Sequence, residues 1–125
     1  MEDLLKIELD AAGDAFLPGQ TVSGQIEWAF EDAPDALDLR LLWYTEGRGD
    51  RDAGVARSLH VATPGAVGSQ RFDLELPAGP YSFSGRLVSL IWALEAVATP
   101  GRRVALREIV VGPQGAEIVL QRADA

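Results

Sequence analysis

The stretch Leu87-Val-Ser-Leu-Ile-Trp-Ala-Leu-Glu-Ala-Val-Ala98 decides the fold, because it fits two incompatible periods. Leu87, Leu90, Ile91, Leu94 and Ala98 follow the i, i+3, i+4, i+7 spacing of an amphipathic helix. Val88, Leu90, Trp92, Leu94 and Ala96 form one face of a strand equally well, with Ser89 and Glu95 on the other. Periodicity alone leaves both open. In the strand reading, Pro100-Gly101 makes a hairpin turn into a further apolar run, Val104 to Val111. In either reading Ser89 and Glu95 interrupt the stretch, which falls short of the roughly 20 apolar residues a bilayer span needs.

On the N-terminal side, strict alternation is the rule. Leu5, Ile7 and Leu9 share one parity, as do Val22, Gly24, Ile26, Trp28 and Phe30; Leu37, Leu39, Leu41 and Trp43; and Phe72, Leu74 and Leu76. Polar counter-faces accompany them, Thr21, Ser23, Gln25 and Glu27 in one run and Arg71, Asp73 and Glu75 in another, the mark of a strand with one wet side. A weaker run spans Val55 to Ala62, and a late one Ala116 to Leu120. Asp10 to Gln20 and Glu46 to Gly54 read as loops. The seven prolines and most of the thirteen glycines fall between the runs, where they mark turns. About eight short strands separated by turns predict an all-β antiparallel sandwich or barrel.

With 125 residues, 47% hydrophobic and 24% charged, the expectation is one globular domain over residues 1–125. The formal net charge of −8 disfavours nucleic acid and anionic membrane surfaces as partners. No cysteine is present, so thiolate chemistry, disulfides and zinc ribbons are excluded, and the single His60 allows no multi-histidine metal site. The start, Met1-Glu-Asp-Leu-Leu-Lys6, has no basic region leading into an apolar stretch, and the expected compartment is the cytoplasm. One lysine against ten arginines reads as the codon usage of a GC-rich bacterial genome.

Candidate chemistry is sparse. Glu31, Asp32, Asp35 and Asp38 surround one turn, and Glu46, Asp50 and Asp52 another, but a calcium loop needs more regularly spaced carboxylates and a closing Glu. Solvated charged loops are expected instead. His60 near Ser58 has the ingredients of a hydrolase, yet the Gly-x-Ser-x-Gly elbow is missing, which favours a surface or edge-strand histidine. Arg48-Gly49-Asp50 is a three-residue adhesion match of the kind chance supplies. Arg102, Arg103 and Arg107 form the one basic concentration, and a guanidinium suits carboxylate or phosphate, so they are the candidate anion or partner contacts. The competing expectation is a charged turn and a guarded edge strand. Trp28, Trp43 and Trp92 lie on the apolar parity of their runs and are expected inside, while Tyr44 and Tyr81 are candidates for exposed aromatic contacts.

Two segments carry a family resemblance. Leu17-Pro-Gly-Gln-Thr-Val-Ser-Gly-Gln-Ile26 resembles the second strand region of arrestin-like N-terminal domains, a Pro-Gly turn followed by Val-x-Gly. Pro80-Tyr-Ser-Phe-Ser-Gly-Arg-Leu-Val-Ser-Leu-Ile-Trp-Ala-Leu-Glu-Ala96 is similar to that family's Pro, Ser, aromatic, Gly stretch with an alternating strand after it. The matching positions are Gly19, Val22, Gly24, Pro80, Ser82, Phe83, Gly85 and Trp92, structural rather than catalytic in the family. The resemblance implies an immunoglobulin-like β-sandwich and makes Leu87 to Ala98 a strand. Arrestins carry two such sandwiches in tandem, and this chain has room for one. Lys6 is followed by Ile7, so the paired lysines that sense receptor phosphate are absent. The departures leave bacterial arrestin-like proteins, including sporulation-control types, as the relatives of reference.

The expected function is that of a non-catalytic protein-interaction module, of adaptor or scaffold type, which contacts another protein through a sheet edge or face. No cofactor is expected, and a homodimer would cover a surface that a second sandwich covers elsewhere. The alternative is a carbohydrate- or small-ligand-binding sandwich.

Overall fold

The computed structural model describes residues 3–47, 51–84, 88–101, 103–113 and 118–119. Ten strands make up its regular structure, and no helix occurs among the described residues. They are β1 (Leu4–Leu9), β2 (Ala15–Phe16), β3 (Thr21–Ala29), β4 (Ala36–Gly47), β5 (Ala53–Ala62), β6 (Val67–Glu75), β7 (Phe83–Ser84), β8 (Val88–Thr99), β9 (Arg103–Val111) and β10 (Ile118–Val119). β1, β3 and β6 form a small antiparallel sheet in that order. The other seven form a large sheet, in which β8 pairs with β4 along one side. Its opposite side is shared end to end by β7, through Phe83 and Ser84, and by β9 from Ile109 to Arg103. β5 extends the sheet beyond β4, and the short β2 and β10 add in parallel to β9 and β7.

The ambiguous stretch is a strand. Val88–Thr99 pairs with β4 over twelve residues, which no helix could satisfy, and buries Leu90, Trp92, Leu94 and Ala96 on the face turned to the small sheet. Leu87 itself lies outside the described residues. Opposing these are Ile7, Val22, Ile26, Trp28, Phe72 and Leu74, so the period-2 parities meet in one core between the sheets. The turn after Thr99 falls at Pro100-Gly101 as expected, and Gly101 has φ 90°.

Trp28 and Trp92 are buried, and each ring nitrogen donates to a backbone carbonyl: Trp28 Nε1 to Gly65 O at 3.2 Å, Trp92 Nε1 to Pro80 O at 2.8 Å. Trp43 is only half-buried, although it packs against the core. Trp28 stands opposite Gly68 and Trp43 opposite Gly54 in their strand pairs. A β-carbon on either glycine would come within 2.7 Å of the facing indole, so both rings lie over bare backbone.

Two expected loops are shorter than the sequence indicated. Asp10 to Gln20 contains β2, while Glu46 and Gly47 belong to β4, and Ala53 and Gly54 to β5. β2, β7 and β10 are two residues each, too short for any alternation to mark them. The weak run Val55 to Ala62 is part of the ten-residue β5, whose pairing with β4 shifts register between Leu41 and Leu42. That bulge lets Ala56 and Arg57 together oppose Leu41 and explains the weak alternation of the run.

Candidate functional site

The arginine cluster divides. Arg103 Nη1 bonds Asp3 Oδ2 at 2.7 Å, and its guanidinium lies over the Phe30 ring, 4.0 Å from the centroid. Asp3 also accepts the Glu31 backbone N–H at 3.0 Å. The Arg103 bond first, and then that N–H, hold the Asp3 carboxyl below its ordinary value. Arg103 thus fastens the start of β1 to β9 across the rim of the sandwich. Arg107 shares its parity, opposite Leu94, but is exposed and pairs with no carboxylate among the described residues. Arg102 lies outside the described residues, as do Arg48-Gly49-Asp50 and Gly85.

His60 has a partner that sequence reasoning missed. Its Nδ1 stands 2.5 Å from Asp38 Oδ1, because β4 and β5 place the two opposite each other, an adjacency no spacing could have shown before the register was known. Ser58 lies two residues along β5 on the same face, opposite Arg40, and makes no hydrogen bond to His60. The imidazole is oriented, but no nucleophile is linked to it as acyl transfer requires. No group of three metal-ligating side chains occurs among the described residues.

A hollow of about 480 Å³ lies at the β4–β5 hairpin, where Tyr44, Glu46, Arg51 and Asp52 contribute to its lining. Thr45 closes its base by hydrogen bonds to the Asp52 backbone at 2.9 Å. Tyr44 is half-buried and its hydroxyl donates to Glu108 at 3.3 Å, so it is less exposed than expected; burial, then the Glu108 carboxylate, push its phenol up. Tyr81 is 39% exposed.

The two outward faces differ in chemistry. Across the small sheet run Lys6–Glu27–Ser69, Glu8–Gln25–Arg71 and Ser23–Asp73, a polar surface laced by the Lys6 pairs to Glu8 and Glu27. Across the large sheet the rows are Ala53–Tyr44–Ile91, Val55–Leu42–Ala93–Glu108, Ser58–Arg40–Glu95–Leu106 and His60–Asp38–Val97–Val104. Arg40 and Glu95 form an ion pair there, and the Arg40 Nε–H is shielded from water without an acceptor among the described residues.

The sheet edges differ too. β1 and β6 end the small sheet; β5 ends the large one beyond β4, while β9 and the two-residue β10 lie at its other side. The outward positions of β6 carry Arg71, Asp73 and Glu75, charges that discourage pairing. β5 contains no acidic residue in a chain of net charge −8, and beyond its bulge Ser58 to Ala62 is a regular edge. No helix among the described residues is long and apolar enough to cross a membrane.

No family model and no curated protein matches the chain. Among solved structures it resembles Spo0M, the sporulation control protein of Bacillus subtilis, with a TM-score of 0.62 and 19% identity, over 87% of this chain and 49% of that one. The chain therefore spans about half the length of that protein. A β-glucosidase from Listeria innocua aligns over 93% of this chain and 17% of its own, at TM-score 0.48 and 12% identity, too distant to carry an argument. The likeness to Spo0M is one of fold: the two sheets make an arrestin-like β-sandwich.

Proposed function

We propose that this chain is a non-catalytic interaction module, of adaptor or scaffold type, that binds another protein by accepting a strand on the free edge of β5. The observation that carries this reading is the edge itself. Among the described residues β5, ten residues long, pairs on one side only, and it lacks the acidic guards present on β6. Such an edge offers a row of backbone donors and acceptors, which gives a partner strand affinity largely independent of its sequence. Specificity then comes from side chains beside it, the exposed Val55 and His60 on the outer face and the half-buried Leu59 and Val61 on the inner one. The likeness in fold to a sporulation control protein is compatible with a regulatory rather than chemical role.

The test is a photo-reactive residue at Ser58, on the β5 edge, compared with one at Ser69, on the polar face of the small sheet. In an extract of the source cells, Ser58 should give one dominant cross-linked protein that Ser69 does not. Equal yields from both positions, or none from Ser58, would refute the reading.

A further inference from the structure

The hydrogen-bond pattern fixes which backbone groups of β5 are open to a partner. The Thr63 N–H donates to Asp35 O and the Thr45 N–H to Asp52 O, each pair one step beyond an end of the β4–β5 register. Hydrogen-bonded and non-hydrogen-bonded pairs alternate along an antiparallel ladder, so Leu59 and Val61 turn their N–H and C=O groups to β4. Ser58, His60 and Ala62 turn theirs outward, where no strand among the described residues meets them. The approach of His60 Nδ1 to Asp38 Oδ1, 2.5 Å, agrees, because side chains lie closest in the non-hydrogen-bonded pairs. This open row has defined ends: the bulge at Ala56 and Arg57 stops it on one side, and Thr63, with φ 47°, turns the chain on the other. Arg57 to Ala62 is thus the length of strand that a partner can match, a short segment and not a whole strand of another sheet.

The side chains along the row say what that segment carries. Leu59 and Val61 pack against the core from the inner face of β5, yet both are only half-buried, since the large sheet stops beside them. Residues of an added strand opposite these two share their face, and apolar side chains there cover the open flanks of both. Arg57 is exposed, and among the described residues its guanidinium bonds the neighbouring Ala56 carbonyl, at 2.8 Å, and no carboxylate. Asp38 and Glu95, in the adjoining rows, already face His60 and Arg40. Asp52 lies five residues from Arg57, about 16 Å along an extended chain and beyond the roughly 8 Å screening length of physiological salt. Despite the net charge of −8, a segment paired here therefore meets a local cation, which favours a carboxylate. We infer that the β5 edge receives a short extended segment of the form apolar-x-apolar-x-acid, an assignment that rests on that edge being the docking site. Antiparallel pairing, the more stable ladder per residue, puts the apolar residues opposite Val61 and Leu59 and the acid opposite Arg57.

NMR titration of the isotope-labelled chain with end-capped peptides tests it. The probe Ser-Val-Ser-Val-Ser-Glu should shift the Ser58, His60 and Ala62 amides and bind more tightly than its parallel counterpart, Glu-Ser-Val-Ser-Val-Ser. Replacing both valines by threonine, close in shape but polar, should weaken binding about tenfold, and replacing the glutamate by glutamine about threefold. On Arg57→Gln the glutamate and glutamine probes should bind alike. Ser58→Pro removes an outward N–H without breaking a bond to β4, and Ala62→Pro does the same at the other end. Each, with its fold checked by circular dichroism, should abolish binding of every probe. If the prolines abolish binding but the threonine, glutamine or parallel probe matches the first, the partner class is overturned and the edge stands. No binding by any probe up to about 10 mM also overturns the partner class, and leaves the edge to the Ser58 cross-link. Binding that survives both prolines overturns the edge and the partner class together.

Discussion

Gly24 and Gly68 would both meet crowding if given a β-carbon, but from different neighbours. At Gly24 the new atom would overlap the Glu8 backbone carbonyl and stand 3.0 Å from the Phe72 ring, while at Gly68 it would come 2.7 Å from the Trp28 indole. A backbone already paired in a sheet cannot retreat, whereas a buried ring can tilt at some cost. Gly24→Ala should therefore lose at least about 2 kcal/mol, and Gly68→Ala less, about 1 kcal/mol, in urea denaturation. Equal losses would show that β1 yields as easily as the indole. The family resemblance marked Gly24 as a mid-strand glycine. Gly54 and Gly68 were not legible, because their role depends on standing opposite Trp43 and Trp28, and register is not written in either strand alone.

At the scale of elements, alternation made β1, β3, β4 and β6 readable, since each has one wet and one dry side. β8 was ambiguous for a physical reason: Ile91, Ala93 and Val97 are apolar on the side that alternation needs polar, so the helical spacing was satisfied by accident. β5 was weak because its bulge breaks the period at Ala56 and Arg57. Ion pairs join the elements that alternation found. Asp10, just beyond β1, holds Arg71 of β6 through two hydrogen bonds, and Asp3 holds Arg103 of β9. The Arg71 bond lowers the Asp10 pKa, as the Arg103 bond lowers that of Asp3. A carboxylate whose pKa is lowered on folding stabilises the protein above its unfolded value, about 3.9, and that contribution is lost as pH falls through the folded value. Wild type should thus be more stable than Asp3→Asn and Asp10→Asn near pH 6, and the gaps should close below about pH 4. Both sites are exposed, so the gaps will be small, and high salt should narrow them further. Denaturant titrations at pH 6 and pH 3 that give the same gap would contradict these assignments.

For the molecule as a whole, the sequence pattern led to an antiparallel sandwich or barrel and the family resemblance to a sandwich, but neither to which surfaces meet a partner. The candidate arginines illustrate the limit. Arg102, Arg103 and Arg107 are close in sequence, yet Arg103 is engaged by Asp3 from a hundred residues away, a contact that exists only once β1 and β9 lie side by side. Likewise the open edge of β5 is a property of strand order, and strand order follows from crossovers that short-range patterns do not encode. The central claim is that this edge receives a partner strand. Hydrogen exchange on the complex captured through Ser58 tests it most directly. Backbone pairing predicts that amides within Ser58 to Ala62 that face away from β4 exchange much more slowly in the complex than in the free chain, while those of β6 keep their rates. A bound partner that leaves the Ser58 to Ala62 amides exchanging at their free rates would contradict the claim.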